Sequence, residues 1–378
     1  MTTSFRLESG RVVIKIGSSL ATLNGVPRTA WLSVLGEEIA RLRQRGCEIV
    51  LVASGAVALG RPLLKGLSGR KLEEKQAAAA LGQPRLIQAL NEAFGPHDVL
   101  VAQALLTLED TETRHRWLTA RATLDTLLKA GIVPVINEND TVATDEIRYG
   151  DNDRLGARVA QMIGAETLIL LSDVDGLYTA DPRRARDAAH VPLITDFDAS
   201  FDAMAGGRNA NAGIGSGGMI TKLEAARIAW AAGCRTVITL GLRDHPISAL
   251  EAGEKATWIV PPVSPETARL AWLSGHLRPE GTLFVDAGAV AALQRGASLL
   301  PVGITAVDGR FDRGAAVAVC GPDKAPIGKG VTAYGAVDIA TIAGLQTEAA
   351  EAQLGYRGRP AIIHRNDLVL NEKSDRSS

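Results

Sequence analysis

The chain has 378 residues, and its 41 Lys and Arg nearly balance its 42 Asp and Glu, so its charge gives no general attraction to nucleic acid or anionic membranes. Three widely spaced cysteines without a Cys-x-x-Cys pair favour reduced thiols over disulfides or zinc. The N-terminus lacks the apolar core of a secretory signal, and no apolar run approaches the ~18 residues of a membrane span, so we expect a cytoplasmic protein without a membrane segment.

Strands and helices alternate along the first 260 residues. This alternation predicts an α/β fold, an open and mostly parallel sheet with helices on both faces. Pro84 is expected to interrupt or begin a helical segment. Strands are predicted over 11–16, 48–53, 99–106, 132–136, 167–171 and 236–240, and helices over 31–45, 71–94 and 113–129 and from 219 onward.

The composition changes after a proline-rich stretch at 260–265. Strands become shorter and glycines denser, which predicts a small β-rich domain. We therefore expect a catalytic domain over 1–262, a linker over 263–279, a β-rich domain over 280–362 and a polar tail over 363–378.

Lys15 lies one residue before the end of the first predicted strand, within an apolar run. Burying an ammonium group is costly unless an anion meets it. A Gly-Ser-Ser turn at 17–19 follows and offers backbone and hydroxyl donors. These features favour a phosphate-binding lysine over an edge lysine that extends its ammonium group into water.

Polar side chains follow two other predicted strands at their carboxyl ends, where open parallel sheets bind ligands. Ser54 follows the strand over 48–53, and Ser172 and Asp173 follow the strand over 167–171. Ser54 is as consistent with a strand-to-helix cap as with ligand binding. The polar run after Ser172 exceeds what an ordinary connecting loop needs, so a ligand site is favoured there.

A further polar stretch follows the predicted strand over 132–136. Asn-Glu-Asn-Asp stands at 137–140 and Gly-Asp-Asn-Asp at 150–153. The pattern predicts one loop over 137–153 that holds an ammonium group or organises cations, although capping and turn chemistry use the same residue types.

Residues 213–222, Gly-Ile-Gly-Ser-Gly-Gly-Met-Ile-Thr-Lys, lead into a helix. Glycine amides and a helix N-terminus attract anions, and Lys222 adds a charge, so this stretch predicts a phosphate site. Its formal Gly-x-Gly-x-x-Gly has no strand directly before it, and Met219 stands where a Walker A motif has lysine. Neither of these nucleotide fingerprints therefore applies.

Taken in chain order, these segments resemble the motifs of glutamate 5-kinases in the amino acid kinase superfamily. Single motifs recur in aspartokinases, but their combination is specific, and residues 280–362 resemble the PUA domain that bacterial members commonly append. The one departure is Ile220, where a small residue is common. The segments are Lys-Ile-Gly-Ser-Ser at 15–19, Ser-Gly-Ala at 54–56, Asn-Glu-Asn-Asp-Thr-Val at 137–142, Gly-Asp-Asn-Asp at 150–153, Ser-Asp-Val-Asp-Gly-Leu-Tyr-Thr-Ala-Asp-Pro at 172–182 and Gly-Gly-Met-Ile-Thr-Lys at 217–222.

The resemblance implies ATP-dependent phosphorylation of the L-glutamate γ-carboxylate, the first step toward proline, with Mg²⁺ as cofactor and proline as feedback inhibitor. It implies a homo-oligomer, a dimer or tetramer. It also implies a role for each site residue. The catalytic residues would be Lys15, Lys222 and Asp153, and the glutamate-binding residues would be Ser54, Asp140 and Asn152. The nucleotide-binding residues would be Lys15, Ser172, Asp173, Ser216, Gly217, Gly218, Met219, Ile220, Thr221 and Lys222.

Two alternatives stay open at this point. The chain could be another amino acid kinase that acts on aspartate, N-acetylglutamate or carbamate. It could also be an RNA-binding protein that acts through the PUA-like part. Residues 280–370 carry eight Lys and Arg against nine Asp and Glu, which lacks the basic footprint of a nucleic-acid surface. An oligomerisation or regulatory role is therefore favoured for that part.

Overall fold

The computed structural model describes residues 6–65, 71–143, 151–180, 185–197, 217–276, 278–356 and 358–371. Contacts between residues divide the chain into two compact units, Met1–Glu266 and Thr267–Ser378. No helix in the described ranges is long and apolar enough to cross a membrane.

The first unit alternates strands with helices, as the sequence predicts. Its strands are β1 (Gly10–Ile16), β2 (Thr22–Leu23), β3 (Val26–Pro27), β4 (Cys47–Ala53), β5 (Val101–Leu106), β6 (Val133–Glu138), β7 (Thr167–Ser172), β8 (Leu177–Tyr178), β9 (His190–Val191), β10 (Leu193–Ile194), β11 (Arg235–Leu240) and β12 (Ala256–Ile259). Its helices are α1 (Ser18–Ala21), α2 (Thr29–Gln44), α3 (Ala56–Gly60), α4 (Leu72–Phe94), α5 (Leu108–Glu112), α6 (Arg114–Lys129), α7 (Asp151–Ile163), α8 (Gly217–Ala231) and α9 (Pro246–Glu251), and α10 (Pro265–His276) follows at the division between the units.

Eight of these strands form one sheet in the order β10-β12-β11-β7-β1-β4-β6-β5. The strands from β11 to β5 run parallel to one another, and β12 runs antiparallel to β11. The predicted α/β fold class is thus confirmed. The strands β10 and β12 and the ribbons β2–β3 and β8–β9 were not predicted, because two to four residues carry too little periodicity.

The faces of the sheet are covered by two hydrophobic cores, and β1 supplies both. Val12, Ile14 and Ile16 lie in the core that includes helices α2 and α4, whereas Val13 lies in the core that includes α6, α7 and α8. Since successive strand side chains point to opposite faces, Lys15 lies on the same face as Val13. The alternation therefore directs its ammonium group toward α7 and α8.

Helix α4 is one continuous helix of 23 residues with Pro84 inside it. The expectation that Pro84 interrupts or begins a segment was wrong. Proline removes one backbone hydrogen bond from a helix, but Leu86, Leu90 and Phe94 are buried along the following turns. Their packing outweighs the lost bond and holds the helix together past the proline.

Helices α3 and α4 cross with their backbones in close contact at two glycines. A Cβ atom placed on Gly60 would stand 1.8 Å from the carbonyl oxygen of Ala78, and one on Gly82 would stand 1.8 Å from that of Ala56. No side chain fits at either position, so the crossing requires glycine on both helices. It holds the middle of α4 against the residues that follow β4.

The second unit has five strands, β13 (Gly281–Val285), β14 (Ile304–Gly309), β15 (Ala316–Cys320), β16 (Pro326–Val331) and β17 (Leu368–Leu370), in the order β14-β13-β15-β16-β17. Helices α11 (Ala287–Gln294), α12 (Ala336–Ile342) and α13 (Thr347–Leu354) accompany them. The strand β17 pairs with β16, so these three residues, assigned to the tail from the sequence, belong to this sheet. The other expected domain boundaries stay predictions.

Candidate active site

Lys15 stands at the carboxyl end of the central strand β1 and is only 6% exposed. Its Nζ atom lies 2.6 Å from Oδ1 of Asp153 on α7. Gly156, one turn further along α7, lies beside the lysine stem, and a Cβ there would make an ordinary contact with that of Lys15 at 3.7 Å. The buried lysine is thus held by a carboxylate and does not extend to water, and its role in binding phosphate stays a prediction.

Helix α8 brings a second lysine to the same carboxylate. Lys222 Nζ lies 3.1 Å from Asp153 Oδ2, and the hydroxyl of Thr221 donates to that oxygen at 3.0 Å. The apolar face of this helix packs inward, with Leu223 and Ala226 buried in the core shared with α7. We refer to Lys15, Asp153 and Lys222 as the charged cluster.

The charged cluster carries two ammonium groups against one carboxylate. Burial alone would raise the pKa of Asp153, but Lys15 and Lys222 outweigh it and hold that pKa below its ordinary value. Burial lowers the pKa of Lys15, and repulsion from Lys222 adds to this, against the opposing pull of Asp153. The lowered pKa keeps Asp153 ionised, and a bound anion would offset both the burial of Lys15 and its repulsion from Lys222.

Asp153 reaches this position because α7 begins at Asp151. The expectation of a loop over 137–153 was therefore wrong at both ends, because β6 includes residues 137 and 138 and α7 includes residues 151–153. Asp and Asn are typical of helix starts as well as of turns, and the sequence pattern did not separate the two. In a helix, Asn152 and Asp153 are fixed by the packing of α7 against β1.

A second group of side chains is uncharged. The amide nitrogen of Asn152 donates to Ser54 Oγ at 2.7 Å and to Asn137 Oδ1 at 2.9 Å. Asn137 in turn donates from Nδ2 to Oε1 of Gln83 on α4, at 3.1 Å. We refer to Ser54, Asn152, Asn137 and Gln83 as the amide relay. It runs across the carboxyl ends of β4 and β6, next to the charged cluster.

The sequence motifs point to Ser54 and Asn152 as site residues but not to Asn137 or Gln83. Asn137 lies in the quoted Asn-Glu-Asn-Asp segment, which was a usable signal. Gln83 stands in a long helix with other glutamines, and nothing in the sequence distinguishes it. Its contact with Asn137 exists only because α4 packs against the end of β6.

The remaining predicted residues flank these two groups. Asp140 is buried shortly after the end of β6. Ser172 ends β7, the strand next to β1, and its hydroxyl donates to the exposed Asp173 at 3.1 Å. The negative charge of Asp173 acts on Lys15, so this pair also borders the charged cluster.

The first turns of α8 contain most of the predicted nucleotide-binding run, and Ser216 lies outside the described residues. Gly218 is exposed, and a Cβ placed on it would meet nothing within 4 Å. Ile220, the departure from the family pattern, is half-buried. The described members of the run are Gly217, Gly218, Met219, Ile220, Thr221 and Lys222.

Comparisons with known proteins show which family the chain belongs to. The model of the amino acid kinase family matches residues 10–240, and the PUA domain model matches residues 281–354. A protein named Glutamate 5-kinase from Caulobacter vibrioides (strain NA1000 / CB15N) is 54% identical over 364 residues, covering 95% of this chain and 96% of the relative. A protein of the same name from Paramagnetospirillum magneticum is 52% identical over 362 residues, covering 95% and 97%.

Among solved structures, a carbamate kinase from Giardia lamblia bound to AMP-PNP aligns with 68% of this chain and 100% of its own at 16% identity and a TM-score of 0.47. That similarity is too weak to inform on the site.

The chain is an α/β protein with a buried charged cluster at the carboxyl edge of its parallel strands, and it belongs to the amino acid kinase family. Within it, the near full-length match at more than half identity groups the chain with the glutamate 5-kinases.

Proposed function

We propose that this chain transfers the γ-phosphoryl group of ATP to the γ-carboxylate of L-glutamate and so forms L-glutamyl 5-phosphate, the first step of proline biosynthesis. One observation carries the proposal: a buried cluster with excess positive charge lies beside a neutral relay of amides and a hydroxyl. The cluster suits a transferring phosphoryl group, and the relay suits a small polar substrate.

The acceptor needs no general base. A glutamate γ-carboxylate has a pKa of about 4.3 and is ionised at neutral pH. One of its oxygens attacks the γ-phosphorus, the bond from that phosphorus to the bridging oxygen breaks, and ADP leaves with the electron pair. Such a step needs alignment of the reacting atoms and neutralisation of negative charge.

The charged cluster supplies that neutralisation. Lys15 and Lys222 bind the phosphate oxygens, and Lys222 acts most strongly where negative charge builds up in the transition state. Asp153 holds the two lysines at a fixed separation by bonding one with each oxygen. The first turn of α8 contributes backbone N–H groups to the nucleotide phosphates, and Ser172 with Asp173 borders the same region.

Mg²⁺ enters with ATP, because this ion typically binds through phosphates and water with few protein ligands. In the part of the chain that the structure describes, no group of three or more His, Cys, Asp or Glu could hold a metal ion. Both oxygens of Asp153 already face lysine nitrogens. The acceptor side is completed by Asp140, whose carboxylate suits the substrate ammonium group.

The remaining expectations are part of the same proposal. Proline has the α-carboxylate and α-nitrogen of glutamate but no γ-carboxylate, so it can occupy the substrate site without reacting and act as a feedback inhibitor. We place the enzyme in the cytoplasm as a dimer or tetramer. The PUA-like unit is assigned to regulation or oligomerisation, since residues 280–370 lack an excess of basic side chains.

The test is a hydroxamate assay on the full chain. ATP and Mg²⁺ are supplied with glutamate, aspartate or N-acetylglutamate, and hydroxylamine traps the acyl phosphate. We expect product with glutamate alone, because an acetyl group removes the ammonium charge that Asp140 binds. Product with aspartate but not glutamate would assign the chain to another amino acid kinase. Proline should lower the signal, and added glutamate should restore it.

A further inference from the structure

The hydrogen-bond direction of the amide relay is fixed by one backbone group. The N–H of Glu138 donates to the side-chain oxygen of Asn137 at 2.9 Å. A backbone N–H can only donate, so the accepting atom of Asn137 is its oxygen and the other is its NH₂ group. The amide orientation of Asn137 is therefore set by the chain itself and is not a free choice between oxygen and nitrogen.

The orientations of the two neighbours follow from Asn137. Because its oxygen faces Asn152, the facing atom of Asn152 must be the NH₂ group, whose two hydrogens go to Asn137 and Ser54. Because the NH₂ group of Asn137 faces Gln83, the facing atom of Gln83 must be its oxygen. Each relay member thus has a defined donor side and acceptor side.

Two buried ends of the relay have no hydrogen-bond partner among the described residues: Nε2 of Gln83, which is a donor, and Oδ1 of Asn152, which is an acceptor. An unpaired buried polar atom is costly, whereas one that pairs with a charged group gains a strong hydrogen bond. An α-amino acid offers both matching partners, a carboxylate for the donor and an ammonium group for the acceptor.

The positions of the relay residues across the sheet indicate which end of the substrate they contact. Neighbouring strands lie about 4.8 Å apart. Lys15 is on β1, Ser54 follows β4, and Asn137 is on β6, two strands from Lys15. The γ-carboxylate must approach the phosphoryl group near Lys15, so the α-carbon end of the substrate extends toward β6 and α4.

Resting on the function proposed above, we propose that Gln83 is a further substrate-binding residue, which donates from Nε2 to the substrate α-carboxylate while Oδ1 of Asn152 accepts from the α-ammonium group. Ser54 accepts the amide of Asn152, and its own hydroxyl hydrogen is directed to the substrate. Helix α4 is thereby a wall of the acceptor site, in agreement with the bond from Gln76, two turns earlier, to the carbonyl oxygen of Ala143. Both relay ends are buried, so the substrate reaches them only as neighbouring side chains shift.

The test compares two substrates in the full-length enzyme. L-Glutamate has both carboxylates, whereas 4-aminobutanoate keeps the reacting carboxylate and the amine but lacks the α-carboxylate. For Gln83→Met we expect KM for glutamate to rise about tenfold or more with kcat little changed. The kcat/KM for 4-aminobutanoate should fall much less than that for glutamate, because the variant removes the acceptor of Asn137 for both substrates but the donor to the α-carboxylate matters for glutamate alone.

Gln83→Glu sharpens the test. Its carboxylate still accepts from Asn137, so the internal bond of the relay is kept, but the donor becomes an anion that repels the substrate carboxylate. We expect a larger rise in KM for glutamate than in Gln83→Met. The matched control is Gln88→Met, on an exposed position of the same helix, which should leave both substrates unaffected.

The outcomes separate the two proposals. A wild-type enzyme that does not phosphorylate glutamate overturns the proposed function and this inference with it. A wild-type enzyme that phosphorylates glutamate, with a Gln83→Met variant that retains kcat/KM for it within twofold, overturns the role of Gln83 alone. Equal losses of kcat/KM for glutamate and 4-aminobutanoate in Gln83→Met would show that Gln83 has only a structural role.

Discussion

The charged cluster and the amide relay lie side by side at the carboxyl edge of one sheet, but they are built on opposite principles. Lys15, Asp153 and Lys222 are ionised groups whose attraction acts at a distance and in any orientation. The relay is neutral, and its behaviour depends on which atom of each amide faces which neighbour. We infer that the cluster provides charge for the reaction and the relay provides recognition of the substrate.

The largest effect should come from removing charge that acts in the transition state. In Lys222→Ala we expect kcat to fall by about three orders of magnitude with only a modest change in KM for glutamate. The measurement is steady-state kinetics with ATP and glutamate. A variant with near-normal kcat would exclude Lys222 from the chemistry. It would also contradict the separate roles inferred for the charged cluster and the amide relay.

Asp153→Asn tests how the cluster is held together. Two buried ammonium groups would lose their common anion, and breaking such a pair costs about 3 to 5 kcal/mol of folding free energy. The measurement is urea unfolding monitored by circular dichroism, with the exposed Glu109→Gln as a control. An unfolding free energy within 1 kcal/mol of wild type would show that the lysines find other compensation.

The same variant gives a pH signature with a defined sign. Because the pKa of Asp153 is lowered in the folded state, its stabilising contribution is fully present above the ordinary aspartate pKa of about 3.9. That contribution is lost as pH falls through the lowered pKa. The stability difference between wild type and Asp153→Asn should therefore be constant near neutral pH and shrink on acidification below about pH 4.

On the recognition side, effects should appear in binding rather than turnover. Asp140→Ala removes a buried carboxylate assigned to the substrate ammonium group, and we expect KM for glutamate to rise by about ten- to a hundredfold with kcat within a few-fold of wild type. The KM for ATP should not change. A loss confined to kcat would show that Asp140 acts in the phosphoryl transfer and not in substrate binding.

The smallest effect is expected for Thr221→Val, which keeps the shape of the side chain but removes one hydroxyl bond to Asp153. The two lysines continue to hold that carboxylate, so kcat should fall only about three- to tenfold. Steady-state kinetics beside Thr341→Val, a solvent-exposed threonine in the second unit, would measure it. A loss as large as that of Lys222→Ala would mean that Thr221 contacts the reacting groups.

The sequence predicted the charged cluster better than the amide relay. A lysine in an apolar strand is conspicuous because its burial needs an anion, and the motifs at 150–153 and 217–222 added the other members. The hydrogen bonds of the relay could not be predicted, because the orientation of the Asn137 amide depends on the backbone N–H of Glu138, and the role of Gln83 depends on where α4 packs. For the same reason, the polar residues at 150–153 were interpreted as loop although a helix begins there.

The crossing of α3 and α4 also bears on how this protein can be altered. Replacing helical glycines by alanine usually stabilises a protein by restricting the unfolded chain. At Gly60 and Gly82 the same change would drive apart the helix that carries Gln83 and the strand end that carries Ser54, because the added methyl group meets a carbonyl oxygen at 1.8 Å. Alanine at these two positions would therefore improve neither thermostability nor substrate recognition, and a design that seeks either must leave both glycines unchanged.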